Sequence, residues 1–182
     1  MTAHDLYLRA GMIRTVVEDI RDFLDEFAIY TVPADITFPD LVDFLGHAVA
    51  ANAETDVEAL KADIVRRETE YSMVWPDQGY ALFHCKTEGV QKTSIRVCLP
   101  AEGQCLQDPY FQGIRAAILM LVPKDSRAVI HADVMSAFTM AFMKDPDFVA
   151  AVKAGDPDDI KERMAAILQT YLQKLLGDLE LA

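Results

Sequence analysis

Two of the four histidines stand where the predicted secondary structure would hold a side chain in a fixed direction. His84 follows the apolar run from Tyr80 to Phe83, and the predicted strand Tyr80–His84 ends on it, at the start of a polar turn. A neutral imidazole is nucleophilic near pH 7 and can also act as a base or a metal ligand. A single histidine at a strand end is more often structural than functional, so the position alone leaves both interpretations open.

His131 lies in the first turns of a predicted helix that runs from about Ser126 to Met143. It shares a stripe with Met135, Phe138 and Phe142, so we expect its side chain to point inward and to be partly desolvated. Burial and a helix N-terminus both disfavour the imidazolium form. The sequence therefore predicts a neutral His131 with one N–H to donate, although most histidines on apolar helix faces belong to the core.

No metal or organic cofactor is expected. Cys85, Cys98 and Cys105 are an odd number of cysteines with no C-x-x-C pair, and together with the histidines they lack the short ligand spacing of a zinc site. Cys85 is also a poor partner for His84, because adjacent strand residues point to opposite faces. There is no glycine-rich phosphate loop, so the sequence does not favour nucleotide binding.

Four helices are predicted outside the His131 segment. They are an amphipathic helix from Asp5 to Phe27, a second from Pro39 to Ala51, a third opened by a capping box of Thr55 and Glu58, and a last one capped by Asp156. In the third helix Val57, Leu60, Ile64 and Val65 are expected to face inward. A brief helix is also expected after Asp145 and Pro146.

Between these helices the period of the sequence changes to that of strands. The predicted strands are Ile29–Val32, Ser72–Trp75, Tyr80–His84, Thr93–Leu99 and Ala116–Val122. The last of these is apolar on both faces, which is typical of a central strand covered by helices on each side. The predicted fold is α/β, with a mixed sheet of about four to five strands flanked by helices on both sides and an extra N-terminal helix.

Composition limits the class of protein further. The 182 residues are 52% hydrophobic and 25% charged, which suits one compact domain. There is no apolar run long enough to span a membrane and no signal peptide pattern, so we expect a cytoplasmic protein without membrane insertion. A net charge of -12 argues against nucleic acid as a partner.

A larger pattern links the two histidines. The segment from Arg66 reads "RRETEYSMVWPDQGYALFHCKTEGVQKTSIRVCLP", and after it come an apolar strand ending in Pro123, a helix containing His131 and the break "KDPDF" before the capped final helix. This order resembles the enzyme IIA domain of the fructose/mannitol type of the bacterial phosphoenolpyruvate-dependent sugar phosphotransferase system. The resemblance covers about residues 29 to 175, including the separation between His84 and His131.

The resemblance implies a phosphotransferase with a phosphohistidine intermediate. His84 would receive a phosphoryl group from phospho-HPr and pass it to a cysteine of an enzyme IIB domain in sugar transport. His131 would be the neighbouring histidine of the site and Arg67 the arginine that approaches the phosphoryl oxygens. Such chemistry requires positioned donors and no metal.

The sequence departs from this family in two places. Phe83 stands where members commonly carry Pro, which leaves open an enzyme IIA-like regulatory module that controls a transcription factor or transporter. The segment between arginine and histidine is about one residue longer than usual, so Arg66 is an alternative to Arg67.

Residues 1–27 lie outside the resemblance and are predicted to be a helical extension of a phosphocarrier domain spanning 28–182. We expect this extension to contact a second copy of the chain, as a homodimer, or a larger assembly. The alternative is that it packs on its own domain.

Overall fold

The computed structural model describes residues 27–50, 55–125 and 143–180, together with separate residues between 8 and 25 and between 136 and 141. The described residues in 8–25 and in 136–144 are helical, in agreement with the sequence-based prediction for both segments. The remainder of the predicted Ser126–Met143 helix, including His131, falls outside the described residues.

The described elements follow the predicted order. The strands are β1 (Ala28–Val32), β2 (Val74–Trp75), β3 (Tyr80–Thr87), β4 (Ser94–Pro100) and β5 (Ala116–Pro123), and the helices are α1 (Phe38–Ala50), α2 (Val57–Glu70), α3 (Pro146–Ala154) and α4 (Pro157–Glu180). A short 3-10 turn, Pro109–Phe111, lies in the connection between β4 and β5. None of the helices in these described ranges is long and apolar enough to cross a membrane.

The five strands form one mixed sheet in the order β1-β4-β5-β3-β2. β5 runs parallel to β3 and antiparallel to β4, while β1 is parallel to β4 and β2 is antiparallel to β3. Every residue of β5 except Pro123 is buried, as predicted for a central strand covered on both faces.

Each face of the sheet is covered by its own pair of helices. On the α1/α2 face, Leu45 and Leu60 pack with alternate strand residues such as Phe83. On the α3/α4 face, Phe148 and Met164 pack with the other strand set. This confirms the predicted α/β class with helices on both sides of a mixed sheet.

Two local predictions need correction. The N-cap of α2 is Asp56, whose carboxylate accepts from the Ala59 N–H at 3.0 Å, and not Thr55. Val65 is 44% exposed, because it lies one position beyond the buried stripe of Leu60 and Ile64. By contrast, Asp156 caps α4 as predicted, accepting from the N–H groups of Asp158 and Asp159.

Candidate active site

His84 lies inside β3 and not at its end. The strand continues to Thr87 because Cys85 and Thr87 are buried and pair with Leu121 and Pro123 of β5. The predicted strand Tyr80–His84 was therefore three residues too short. The ring is held in the middle of a paired, buried strand, which fixes the direction of its side chain.

The neighbouring edge strand ends before it reaches His84. β2 has only two residues, which pair with Tyr80 and Ala81, and one further bond joins the Leu82 N–H to the Met73 carbonyl. Beyond that point the C-terminal end of α2 lies next to His84 in place of a strand. Side chains alternate along β3, so His84 shares the α3/α4 face with Leu82.

The guanidinium of Arg67 lies against the imidazole. Nη2 of Arg67 is 3.2 Å from Nε2 of His84, and Nη1 donates to the Tyr71 carbonyl at 3.2 Å. The centroid of the Tyr71 ring is 5.7 Å from Cζ of Arg67. Since a guanidinium can only donate, Nε2 of His84 is the acceptor, and the proton of the neutral ring resides on Nδ1.

Arg66 points elsewhere. Its Nη2 donates to Oδ1 of Asp63 at 2.6 Å, and its side chain is 64% exposed. Arg67, the arginine chosen from the sequence, contacts His84, and its alternative Arg66 does not.

The environment keeps His84 neutral. Partial burial lowers the pKa of His84 below its ordinary value, and the positive charge of Arg67 lowers it further. The backbone of Leu82 acts on the ring in the opposite direction and raises the pKa. Nδ1 is buried and has no hydrogen bond of good geometry to any described residue. The lone pair of the neutral ring therefore lies at Nε2, where it accepts from Arg67.

Glu68 and Tyr110 are residues of the site that sequence reasoning did not single out. Glu68 is 7% exposed, and its Oε1 accepts from the Met73 N–H at 3.3 Å and from the Tyr110 hydroxyl. The pKa of Tyr110 is raised by burial and by its bond to Glu68. Glu68 had one signal, its place beside Arg67 at a helix end, whereas Tyr110 joins it from 42 residues away.

An aromatic cluster connects this pair to the strand of His84. The ring of Phe38 stacks on Tyr110 with centroids 4.3 Å apart, and lies 5.5 Å from the ring of Phe83. Phe83 is 2% exposed and precedes His84 in β3. Phe83 thus packs on the α1/α2 face, behind the imidazole.

The cysteines are not part of this arrangement. Cys85 belongs to the α1/α2 face, opposite His84, and burial raises its pKa to about 12. Burial raises the pKa of Cys98 to about 12 as well. Within 27–50, 55–125 and 143–180 no group of three His, Cys, Asp or Glu side chains is placed to hold a metal ion.

The chain is similar to known proteins in both sequence and fold. The sequence profile of the family described as "Phosphoenolpyruvate-dependent sugar phosphotransferase system, EIIA 2" matches residues 37–166. No curated protein sequence matches the chain significantly.

Among solved structures, the nitrogen regulatory protein IIA-Ntr of Neisseria meningitidis is similar, with a TM-score of 0.57, 18% identity and coverage of 80% of this chain and 94% of that one. The complex of enzyme IIA mannitol with phosphorylated enzyme IIB mannitol from Escherichia coli gives a TM-score of 0.56 at 17% identity, covering 77% of this chain and 99% of the other. The crystal structure of IIA mannitol from the same organism gives 0.53 at 17% identity, covering 79% and 95%. These structures share the fold, and the profile covers more than half of the sequence. The chain therefore belongs to the EIIA 2 family of the phosphoenolpyruvate-dependent sugar phosphotransferase system.

Proposed function

We propose that the chain is a histidine phosphocarrier, which takes a phosphoryl group from phospho-HPr onto Nε2 of His84 and passes it to a cysteine of an enzyme IIB domain. The observation that carries the proposal is the 3.2 Å contact between Nη2 of Arg67 and Nε2 of His84. A permanently charged guanidinium beside a neutral, nucleophilic nitrogen suits the transfer of a dianionic group.

The transfer balances without an added reactant. The lone pair of Nε2 attacks phosphorus, the bond from phosphorus to the donor nitrogen of phospho-HPr breaks, and the electron pair of that bond returns to the donor imidazole. The proton on Nδ1 of His84 stays in place. Passing the group onward reverses the roles: a thiolate of the IIB domain attacks phosphorus, and Nε2 leaves with the electron pair of the N–P bond.

Arg67 would act on the charge of the transferred group. In an in-line transfer, negative charge is spread over three equatorial phosphoryl oxygens, and fixed donors stabilise it. Arg67 is held by the Tyr71 carbonyl and needs little rearrangement to reach oxygens on Nε2. The family resemblance assigns a second donor to His131, which stays a proposal because this residue lies outside the described part of the chain.

The experiment incubates the purified chain with phosphoenolpyruvate, enzyme I and HPr, and counts acid-labile phosphate by intact mass before and after acid treatment. One phosphate per chain is expected, since a phosphoramidate hydrolyses when its nitrogen is protonated. His84→Ala should take up none, while His47→Ala, which changes an exposed histidine of α1, should behave like the unaltered chain. Phosphate that survives in His84→Ala would overturn the assignment.

A regulatory role is the second candidate. It is supported by Phe83 at a position where the family commonly has proline, and by the fold similarity to a protein described as a nitrogen regulatory protein. Adding an enzyme IIB domain to the phosphorylated chain separates the two functions. A carrier in transport loses its phosphate to the IIB cysteine, whereas a regulatory module keeps it.

A further inference from the structure

The carboxylate of Glu68 ties together the end of α2 and the turn that follows it. It accepts from the Met73 N–H, while the carbonyl of Tyr71 in the same turn accepts from Nη1 of Arg67 and the Tyr71 N–H donates to the Arg67 carbonyl. The position of the guanidinium thus depends on the position of this turn. The position of this turn depends on the buried carboxylate of Glu68, which needs hydrogen-bond donors and finds one in the Met73 N–H.

Tyr110 supplies the second bond to that carboxylate and comes from a different part of the chain. It lies in the 3-10 turn between β4 and β5, where its backbone N–H donates to Oδ1 of Asp108 at 2.9 Å. Its ring stacks on Phe38, which also contacts Phe83, the neighbour of His84 in β3. The tyrosine is therefore fixed on both its backbone and its ring before its hydroxyl meets Glu68.

From these contacts we propose that Tyr110 and Glu68 are positioning residues that hold Arg67 against Nε2 of His84. Neither touches the imidazole in the described structure. They act through the turn at 71–73. Their loss would therefore increase the average distance between the guanidinium of Arg67 and Nε2 of His84. This inference rests on the proposed phosphoryl transfer for its consequence on rate, but not for its consequence on geometry.

The geometry can be measured in the unphosphorylated protein. The charge of Arg67 lowers the pKa of His84, so a guanidinium that moves away raises it. The other charged side chain on the same face of β3 is Lys86, two residues on, which is exposed and is unchanged by the test. The pKa of His84 therefore reports the distance to Arg67 and would not respond to a general loss of stability.

The experiment compares Tyr110→Phe with Tyr30→Phe by following the imidazole proton resonances of His84 through a pH titration, and then by measuring transfer from phospho-HPr. Tyr110→Phe keeps the ring stacked on Phe38 and removes only the hydroxyl. Tyr30→Phe removes a hydroxyl in β1, at the far edge of the sheet, and keeps the edge-to-face contact with Phe44.

We expect Tyr110→Phe to raise the pKa of His84 and to lower kcat about tenfold, as the loss of one bond to a charged group suggests, with KM for phospho-HPr unchanged. Tyr30→Phe should change neither.

An unchanged His84 pKa and an unchanged kcat in Tyr110→Phe would overturn the positioning role. If Tyr110→Phe does not fold, Glu68→Gln decides, because the neutral amide still accepts one hydrogen bond and should give the same changes to a smaller extent. If the unaltered chain takes up no phosphate, the proposed function fails, while the His84 pKa still tests the positioning of Arg67.

Discussion

At the scale of single residues, the protonation of His84 is set by its surroundings. A nucleophile must have a free lone pair, and the lowered pKa keeps the ring neutral at pH 7 and somewhat below it. Because the unfolded chain would bind a proton at the ordinary histidine pKa of about 6.5, the unfolded state holds more protons than the folded state just below that pH. The contribution of His84 to stability is therefore complete above about pH 6.5 and is lost as the pH falls through the unfolded pKa towards the lower folded one.

The first prediction follows from the two causes of that lowered pKa. In an NMR titration of the unaltered chain, His84 should titrate below the ordinary value, and in Arg67→Ala its pKa should rise without reaching that value, because burial is the larger cause. A pKa that stays constant or falls in Arg67→Ala would contradict the placement of the guanidinium.

The second prediction concerns the two adjacent arginines. Arg67→Ala should slow phosphoryl transfer by about two to three orders of magnitude, as the loss of a positioned donor does. Arg66→Ala removes an exposed ion pair with Asp63 and should leave the rate nearly unchanged, since such pairs contribute little. Rates from a rapid-quench experiment with phospho-HPr decide between them, and a larger effect of Arg66→Ala would show that the site uses the other arginine.

At the scale of elements, β3 carries His84 on one face and Phe83 on the other. The Leu82 N–H points to the Met73 carbonyl on the β2 side, so the Phe83 N–H points to β5. A proline at 83 would lose that donor as well as the buried ring that contacts Phe38.

The third prediction is that Phe83→Pro, although it introduces the residue common in the family, destabilises this chain by about 3 kcal/mol or more, the range for removing a buried phenyl group. Urea unfolding followed by circular dichroism measures the change in the free energy of unfolding. The control is Phe83→Leu, which keeps the backbone N–H and so separates the loss of side-chain volume from the loss of the donor. Equal stability of Phe83→Pro and Phe83→Leu would show that the donor contributes nothing.

The elements were largely predictable because their signals are local. The apolar run Ala116–Val122 and the cap at Asp156 are patterns within one segment, and both appear in the structure as a buried central strand and a capped helix. The true end of β3 was missed because Lys86 interrupts the apolar run, although Cys85 and Thr87 on the other face remain paired and buried.

The candidate site was predictable only where a motif marked it. His84 and Arg67 were found through the order of the family's elements, and the structure brings them together. The bond from Tyr110 to Glu68 left no pattern in the sequence, since a loop residue and a helix residue far apart in the chain meet only through the tertiary fold. His131 stays a prediction.

At the scale of the whole molecule, the segment before β1 has two candidate contacts, a partner chain and its own domain. Leu8 and Val17 are exposed in its described helical residues, which favours a partner, whereas Phe27 packs against the core on the α3/α4 face, which favours a local role.

The fourth prediction is that deleting residues 1–26, and keeping Phe27, leaves a folded domain that takes up phosphate but has a lower oligomeric mass in light scattering. The reason is that the family profile begins only at residue 37 and the sheet is complete from β1 onward. A soluble deletion with unchanged mass would refute the dimer, and an unfolded deletion would show that the segment covers its own domain.

The strand order also determines when the protein can fold during synthesis. β5 is the last of the described strands along the chain, yet it lies between β4 and β3. β1 with β4 and β2 with β3 therefore remain two separate pieces until residues 116–123 leave the ribosome. Until then each piece exposes an unpaired inner edge, which is the kind of surface that recruits other strands. The nascent chain therefore carries His84 on an incomplete sheet while about thirty further residues are translated, which takes a few seconds at typical elongation rates. Over that interval, contact with a chaperone or with another nascent chain competes with insertion of β5.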